Sequence, residues 1–387
     1  MKRITSIDFT RGLMMIIMAL DHTRDLIHVD SITQNPTNLA TTTPFLFFTR
    51  WITHLCAPIF VFLSGTSAYL SFKKKNDIRQ SRNFLITRGI WLIILEFTII
   101  SFGIWFDIKF RILFFQVIAA IGFSFIILSF FLKSSAKTIA ITGLIIIFCH
   151  NLLDRVPANA GSTLRTIITP LVRPAVYNPT PNFTFFIGYP VIPWCGIMLL
   201  GFSCGRLFQW EQTKRKKFFI KAGIITILFF AALRYSNFYG DPAKWSLQKN
   251  SVYTFLSFMN VTKYPPSLLF TAVTLGCMCF IVFFSENVNN KFTRVVSIYG
   301  KVPLFYYLIH WYVVHSVLII IMFAQGFHWR DLQFGAFNFG RPQAPNGLPL
   351  WGVYIVWISI VIFMYPLCKW YSHYKLSHPE TKWLHYL

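Results

Sequence analysis

Charged side chains are scarce in this chain, and acidic ones scarcest. Only 13% of its 387 residues are charged, and 13 Asp or Glu stand against 36 Lys or Arg. Soluble domains carry roughly 25% charged residues, so a soluble globular fold is excluded. The 55% hydrophobic content points to a polytopic membrane protein. No CxxC pair occurs among the seven cysteines, Cys56, Cys149, Cys195, Cys204, Cys277, Cys279 and Cys368, which sit almost entirely in apolar runs. Thiols so placed pack as small apolar residues, so neither a disulfide framework nor a metal site is expected. HExxH, Walker A and GxGxxG motifs are missing, which removes zincin, P-loop and dinucleotide-binding chemistry. No repeat with a period of tens of residues is present. No A-x-A-like site follows the first apolar run, so that run is expected to be an uncleaved anchor.

The net charge of +23 would suit a nucleic-acid partner, but no binding motif accompanies it. The basic residues cluster in short loops between apolar spans. One cluster holds Lys73, Lys74, Lys75, Arg79, Arg82 and Arg88, and another Arg206, Lys214, Arg215, Lys216, Lys217 and Lys221. With Lys2, Arg3, Lys291, Arg294, Lys301, Lys375 and Lys382 they form a positive-inside pattern. The expected fold is all-α, a single membrane-embedded helical bundle of about ten spans. These fall at 6–28, 48–72, 84–104, 112–132, 137–153, 187–209, 217–235, 266–285, 302–324 and 350–371, with both termini cytoplasmic. The opposite side then carries the long loops 29–47, 154–186, 236–265 and 325–349, rich in polar and aromatic residues. Loops of this length are functional or disordered, and their aromatics suit sugar rings or an interfacial belt.

Ser6 to His28 organises the rest. It is long enough to span a bilayer, yet it holds Asp8, Arg11, Asp21, His22, Arg24, Asp25 and His28. Asp8, Arg11, Met15, Met18, His22 and Asp25 follow steps of 3 and 4, one helical face. Asp21, Asp25 and His28 lie on an adjoining face. Intramembrane ionisable residues face a bundle interior or a wet cavity and mark function by default; a packing-only ion-pair network is the competing reading. His54, in the second span, shares the depth of His22 to Asp25. Pro58 is expected to kink that span and Gly65 to allow close packing. Pro190 and Pro193 are expected to stop a regular helix before Trp194, and Gly196, Gly201 and Gly205 to form a small-residue face. Lys263, before a Tyr-Pro-Pro run, could hold an anionic group, but reads better as a snorkelling residue. His310, with Tyr306 and Tyr307, reads as cavity-lining, and His315 points away from it. His22 and His28 are six apart, and i,i+4 would be the natural spacing of a metal pair.

The pattern Ser6-x-Asp8-x-x-Arg11-Gly12, the polar pair Asp21–His22, and Pro58-x-Phe60-x-Phe62-x-x-Gly65 together resemble the catalytic region of the heparan-α-glucosaminide N-acetyltransferase family. The DHTRD, CAPIFVFLSG, NVTKYPPS and LFYYLIH runs look especially like a bacterial branch of it. The resemblance covers most of the chain. It implies a helical membrane enzyme, in a bacterial inner membrane, that moves acetyl from cytoplasmic acetyl-CoA to a sugar amine or hydroxyl on the far side. The partners implied are acetyl-CoA, a glycan or amino-sugar acceptor, the lipid bilayer and a possible homodimer. Asp8, Arg11 and Gly12 match the family motif. His22 falls where lysosomal members carry a catalytic Asn. Those members' essential loop His has two nearest counterparts, His28 by position and His54 on the second span. An acetyl-His intermediate and direct transfer both stay open.

The chemistry can be stated from the residues as well. An alcohol or amine attacking a thioester must lose a proton, and a neutral His oriented by a carboxylate takes it. His22 is cast as base or acyl carrier, with Asp21 and Asp25 holding its tautomer. Arg24 or Arg11 is cast to stabilise the developing oxyanion. His28 and His54 complete the catalytic candidates. Asp8, Arg11, His310, Lys74 and Arg88 are the candidates for holding the donor. Two other classes compete: a proton-coupled transporter using the same stripe as a relay, and a membrane partner with no chemistry. Inverted repeats and paired broken helices would favour the transporter, and neither is present in the sequence.

Overall fold

The structure is a computed structural model that describes residues 4–155, 163–335, 337–381 and 384. Lys2, Arg3, Lys382 and part of loop 154–186 lie outside the described residues. The elements run α1 (Thr5–Ile27), α2 (Pro44–Thr53), α3 (Cys56–Lys75), α4 (Ile78–Leu95), a π-helical turn (Glu96–Ile100), α5 (Ser101–Trp105), β1 (Ile112–Phe115), α6 (Val117–Phe131) and α7 (Ala136–Cys149). Next come α8 (Thr163–Val172), β2 (Ala175–Thr180), β3 (Phe183–Ile187), α9 (Val191–Cys204), α10 (Gln212–Ser236) and α11 (Ser251–Met259). The chain ends with α12 (Leu268–Ser285), α13 (Lys291–Lys301), α14 (Pro303–Ala324) and α15 (Leu350–Ser377).

Among the described residues, eight helical stretches are long and apolar enough to cross a membrane. Helix α1 is long enough but carries too many charges to count among them, and α6 is apolar but shorter. With these two, the elements match the ten expected spans. The protein is therefore an integral membrane helical bundle.

Local chemistry sets several boundaries. Thr43 caps α2 by accepting from the Leu46 N–H, with Pro44 in the first turn. Asn76, at φ 52°, ends α3 in the left-handed region, and Asp77 caps α4 at once. The second expected span breaks between α2 and α3. Pro58 has no N–H for the carbonyl of His54, and the helix turns at His54–Leu55.

The fourth span differs from expectation. Residues 112–115 form a strand, not helix, and pair in parallel with 184–187 of β3, which pairs antiparallel with β2. A short Ile-Leu-Phe-Phe run has no periodicity that separates strand from buried helix, and the aromatic β3 provides its partner. The sixth span starts at Val191 rather than 187, because Ile187 ends β3. Pro193 does not stop that helix. It falls in the first turn, where a missing N–H breaks no bond.

Helix α1 is the centre of the bundle, packed against α2, α3, α12, α13, α14 and α15. Without a hydrophobic drive between helices in lipid, close backbone approach does the work. At the crossing of α1 and α13, a Cβ on Gly12 would lie 1.9 Å from the Val296 carbonyl oxygen, and one on Gly300 would lie 1.8 Å from the Asp8 carbonyl oxygen. Only two glycines fit there. The opening motif thus has a structural reading. Ser6 donates to Glu286 Oε1 at 2.6 Å, itself ion-paired to Arg215 at 2.7 Å. Gly12 makes the crossing, and Arg11 turns inward.

The C-terminal end of α1 is clamped from the loop before α15. Arg341 donates to the carbonyls of Leu26 (3.4 Å) and His28 (2.9 Å), satisfying groups that a helix end leaves open. Burial pushes its guanidinium down to about 10, so it remains charged at neutral pH.

Candidate functional site

Two cavities meet inside the bundle. The first, about 350 Å3, is lined by Arg11, Arg88, Lys301 and Lys375, by Ser64, Ser67 and Ser71, and by apolar residues of α4 and α6. The second, about 140 Å3, is lined by Asp21, His22, Asp25, Arg50, Lys263, Tyr264, Tyr189 and Trp311 among others. Phe60, Val117 and Tyr307 wall both. Arg11 and His22 lie on the same helix, about 16 Å apart along its axis at 1.5 Å per residue. One helix therefore carries a residue of each cavity, and the two cavities lie side by side across the wall of Phe60, Val117 and Tyr307.

His22 is the best-oriented group. Its Nδ1 lies 2.7 Å from His310 Nε2, and His310 Nδ1 lies 3.1 Å from the Tyr306 carbonyl oxygen. A carbonyl only accepts, so His310 Nδ1 carries a proton and donates it. With both rings neutral, His310 Nε2 accepts and His22 Nδ1 donates. The His22 Nε2 lone pair is then free as a base. Trp311 stacks on the His22 ring at 3.8 Å between centroids and 18° between planes. The ring is fixed on two sides, as a neutral base needs.

Asp21 has other partners than the expected His22. Arg50 Nη1 donates to both its oxygens at 2.6 Å, Arg24 Nη2 at 2.9 Å and Thr53 Oγ1 at 2.8 Å. Arg24 also donates to Asp25. The expected carboxylate orientation of His22 is thus replaced by a histidine from α14. Two residues adjacent in sequence point about 100° apart on a helix, so Asp21 and His22 face different neighbours.

The other candidates divide. Arg11 lines the first cavity and donates to the Leu63 carbonyl at 3.0 Å and to Ser67. It therefore sits at the first cavity rather than beside His22. Arg88 lines the same cavity, whereas Lys74 is exposed at the end of α3 and does not line it. Lys301 and Lys375 stand there instead, the latter because α15 runs on to Ser377. Asp8 is buried at the α1–α13 crossing and lines neither cavity. His28 sits just past α1, accepting from the Asp30 N–H at 3.3 Å, outside both cavities. His54 is buried and turned toward the Phe270 ring, also outside both. His310 and Tyr306 line neither cavity, against expectation, whereas Tyr307 lines both; His310 meets His22 instead. His315 faces away as expected, stacked on Phe106.

Several site residues escaped the sequence reading. Arg50 marks the outer interface of the second span by sequence, Lys263 reads as a snorkelling chain with anion binding as the alternative, and Tyr189 falls at the start of the sixth span with no role assigned. Their sequence signal was only proximity to a span end. Behind the shared wall, Tyr307 donates to Gln116 Oε1 at 3.4 Å, and Glu96 in the π-helical turn accepts from the Ala119 N–H at 2.9 Å. Glu96 thereby holds the start of α6, which contributes Val117 to the wall. π-Helical turns within helices recur at functional sites.

The arrangement offers a cationic cavity, a shared wall, and a fixed imidazole beyond it. Residues 3–237, more than half the chain, match the family described as heparan-alpha-glucosaminide N-acetyltransferase, catalytic. Among curated proteins nothing matches the chain.

Proposed function

The chain belongs to the heparan-alpha-glucosaminide N-acetyltransferase catalytic family, and from that premise we propose that it moves acetyl from acetyl-CoA to a sugar amine or hydroxyl across the membrane. Membership makes it a membrane transferase. The donor, the acceptor and the direction are our reading. The observation that supports it is the shared wall: Phe60, Val117 and Tyr307 line both the cationic cavity and the cavity that holds His22, so a thioester arm in the first lies next to the second.

The CoA phosphates sit at the mouth marked by Arg11, Arg88, Lys301 and Lys375. A cavity near the lower end of ligand-site volumes, roughly 300–1,000 Å3, suits the acyl-pantetheine arm with the nucleotide outside. The positive-inside bias puts that mouth in the cytoplasm, of the bacterial inner membrane in this reading. The acceptor enters the second cavity from the opposite side. His22 Nε2 takes the proton of the attacking hydroxyl or amine as the new C–O or C–N bond forms. The C–S bond breaks, and the CoA sulfur takes that proton from the imidazolium. Arg50 and Arg24 keep positive charge near the reacting carbonyl. Direct transfer and an acetyl-His intermediate both end with the acceptor's proton on the CoA sulfur, but acetyl on Nε2 would bar that atom from acting as the base, so the steps above are those of direct transfer.

Binding of CoA to the detergent-purified protein tests the donor half. Acetyl-CoA and CoA both raise the melting temperature of the wild type, saturably and less so at high salt. Arg88→Glu with Lys301→Glu weakens that shift at least ~10-fold in midpoint concentration, as expected for loss of phosphate pairing. No shift in the wild type at millimolar CoA would remove the donor from this reading.

A further inference from the structure

Lys263 is a buried lysine with no contact ion pair among the described residues, and the Asp21 carboxylate, already held by two arginines, acts on it only through space. The lysine is 8% exposed and lines the second cavity. Among the described residues no hydrogen bond or ion pair reaches its ammonium, and its nearest ring is Tyr264, 5.1 Å from ammonium to centroid. Around this cavity, Arg24 and Arg50 are paired with Asp21 and Asp25. Three cations face two carboxylates, which leaves one positive charge over.

Nor is Lys263 free to leave. Asp241 accepts from the Thr262 N–H (2.8 Å), from Thr262 Oγ1 (2.9 Å) and from Ser267 Oγ (2.6 Å), gripping both flanks of the Lys263 turn. Buried Arg234 donates to the carbonyls of Ser257 (2.9 Å), Phe258 (2.9 Å) and Asn260 (2.7 Å), fixing the approach to that turn. A lysine that merely snorkels would sit on a loose segment with its head in water. This one is built inward, beside the Tyr189 and Tyr264 hydroxyls, which lie 3.2 Å apart.

A buried, unpaired ammonium is costly unless a ligand supplies the counter-charge. We propose that Lys263, with the Tyr264 and Tyr189 hydroxyls, binds an oxyanion substituent of the acceptor, carboxylate or phosphate, and thereby presents the acceptor's reacting group to His22. This rests on reading the second cavity as the acceptor site. The substrate class becomes an anionic sugar. A neutral sugar would fill the same space and leave the ammonium unpaired, a mismatch that polar sites reject strongly.

The test is a titration of the full-length protein in detergent with glucuronate, glucosamine 6-phosphate and glucose, followed by saturation-transfer NMR. In the wild type at least one anionic sugar binds ~10-fold or more tighter than glucose; glucuronate reports a carboxylate and glucosamine 6-phosphate a phosphate. Lys263→Met and Lys263→Gln lose that preference, and Lys263→Arg keeps it. Each variant's fold is checked by its size-exclusion profile and by its melting temperature with CoA, which reads the other cavity. Equal binding of charged and neutral sugars by the wild type overturns the proposal. So does an anion preference that survives in either neutral variant, since the anion then binds elsewhere. If CoA fails to stabilise even the wild type, the donor reading fails while the sugar comparison still decides this one.

Discussion

His22→Ala lowers acetyl transfer by about 10²–10⁴-fold, the range that a positioned general base contributes, while CoA still binds. The imidazole lies in the second cavity and the cations proposed for the CoA phosphates in the first, so binding and chemistry are expected to separate. The tautomer chain sharpens the expectation. His310 accepts from His22 Nδ1 and leaves His22 Nε2 as the basic atom. His310→Phe removes that acceptor but keeps a ring beside Trp311. Its transfer rate falls less than that of His22→Ala, because the base survives and only its orientation is lost. Rates are read from thioester loss against free-thiol release in the same preparation. Equal turnover by the wild type and His22→Ala would take His22 out of the chemistry and leave it a packing residue.

Asp21→Ala destabilises the fold by about 3–5 kcal/mol, the cost of breaking a buried ion pair from one side. Asp21 is the shared acceptor of Arg24, Arg50 and Thr53. Without it, among the described residues, Arg50 keeps only Thr53 Oγ1, at 3.4 Å, as a side-chain hydrogen-bond partner. The cluster ties α1 to α2 across the mouth of the second cavity, so the loss appears in unfolding midpoint as well as in turnover. Asp21→Asn keeps an acceptor for Thr53 but not the charge, and falls between the two. Thermal unfolding in detergent, with and without CoA, measures both. A melting temperature unchanged in Asp21→Ala would mean that water reaches the arginines, and that the cluster does not hold the helices together.

The periodic part of the site was legible in the sequence. Steps of three and four along Ser6 to His28 put Arg11 and His22 on one face, and the structure places both at cavities. Span positions followed from hydropathy, since a bilayer demands runs of fixed length. The partner of His22 was not legible. It lies 288 positions away on another helix, and neighbours in sequence, Asp21 above all, were the only carboxylates that spacing could offer. The burial of Lys263 in the cavity was not legible for a related reason. Its burial depends on Asp241 and Arg234 folding a loop inward, which leaves no periodic trace. The strand at 112–115 escaped because four apolar residues fit helix and strand alike, and only pairing with β3 decides.

The most direct test of the central claim puts donor and acceptor on opposite faces of a membrane. Protein is reconstituted in sealed vesicles holding glucosamine and glucosamine 6-phosphate, and acetyl-labelled acetyl-CoA is added outside. The account predicts labelled acetyl-sugar inside the vesicles with the wild type and a loss of about 10²–10⁴-fold with His22→Ala. An intact thioester with the wild type, or acetyl-sugar formed only when both substrates share one face, would contradict it.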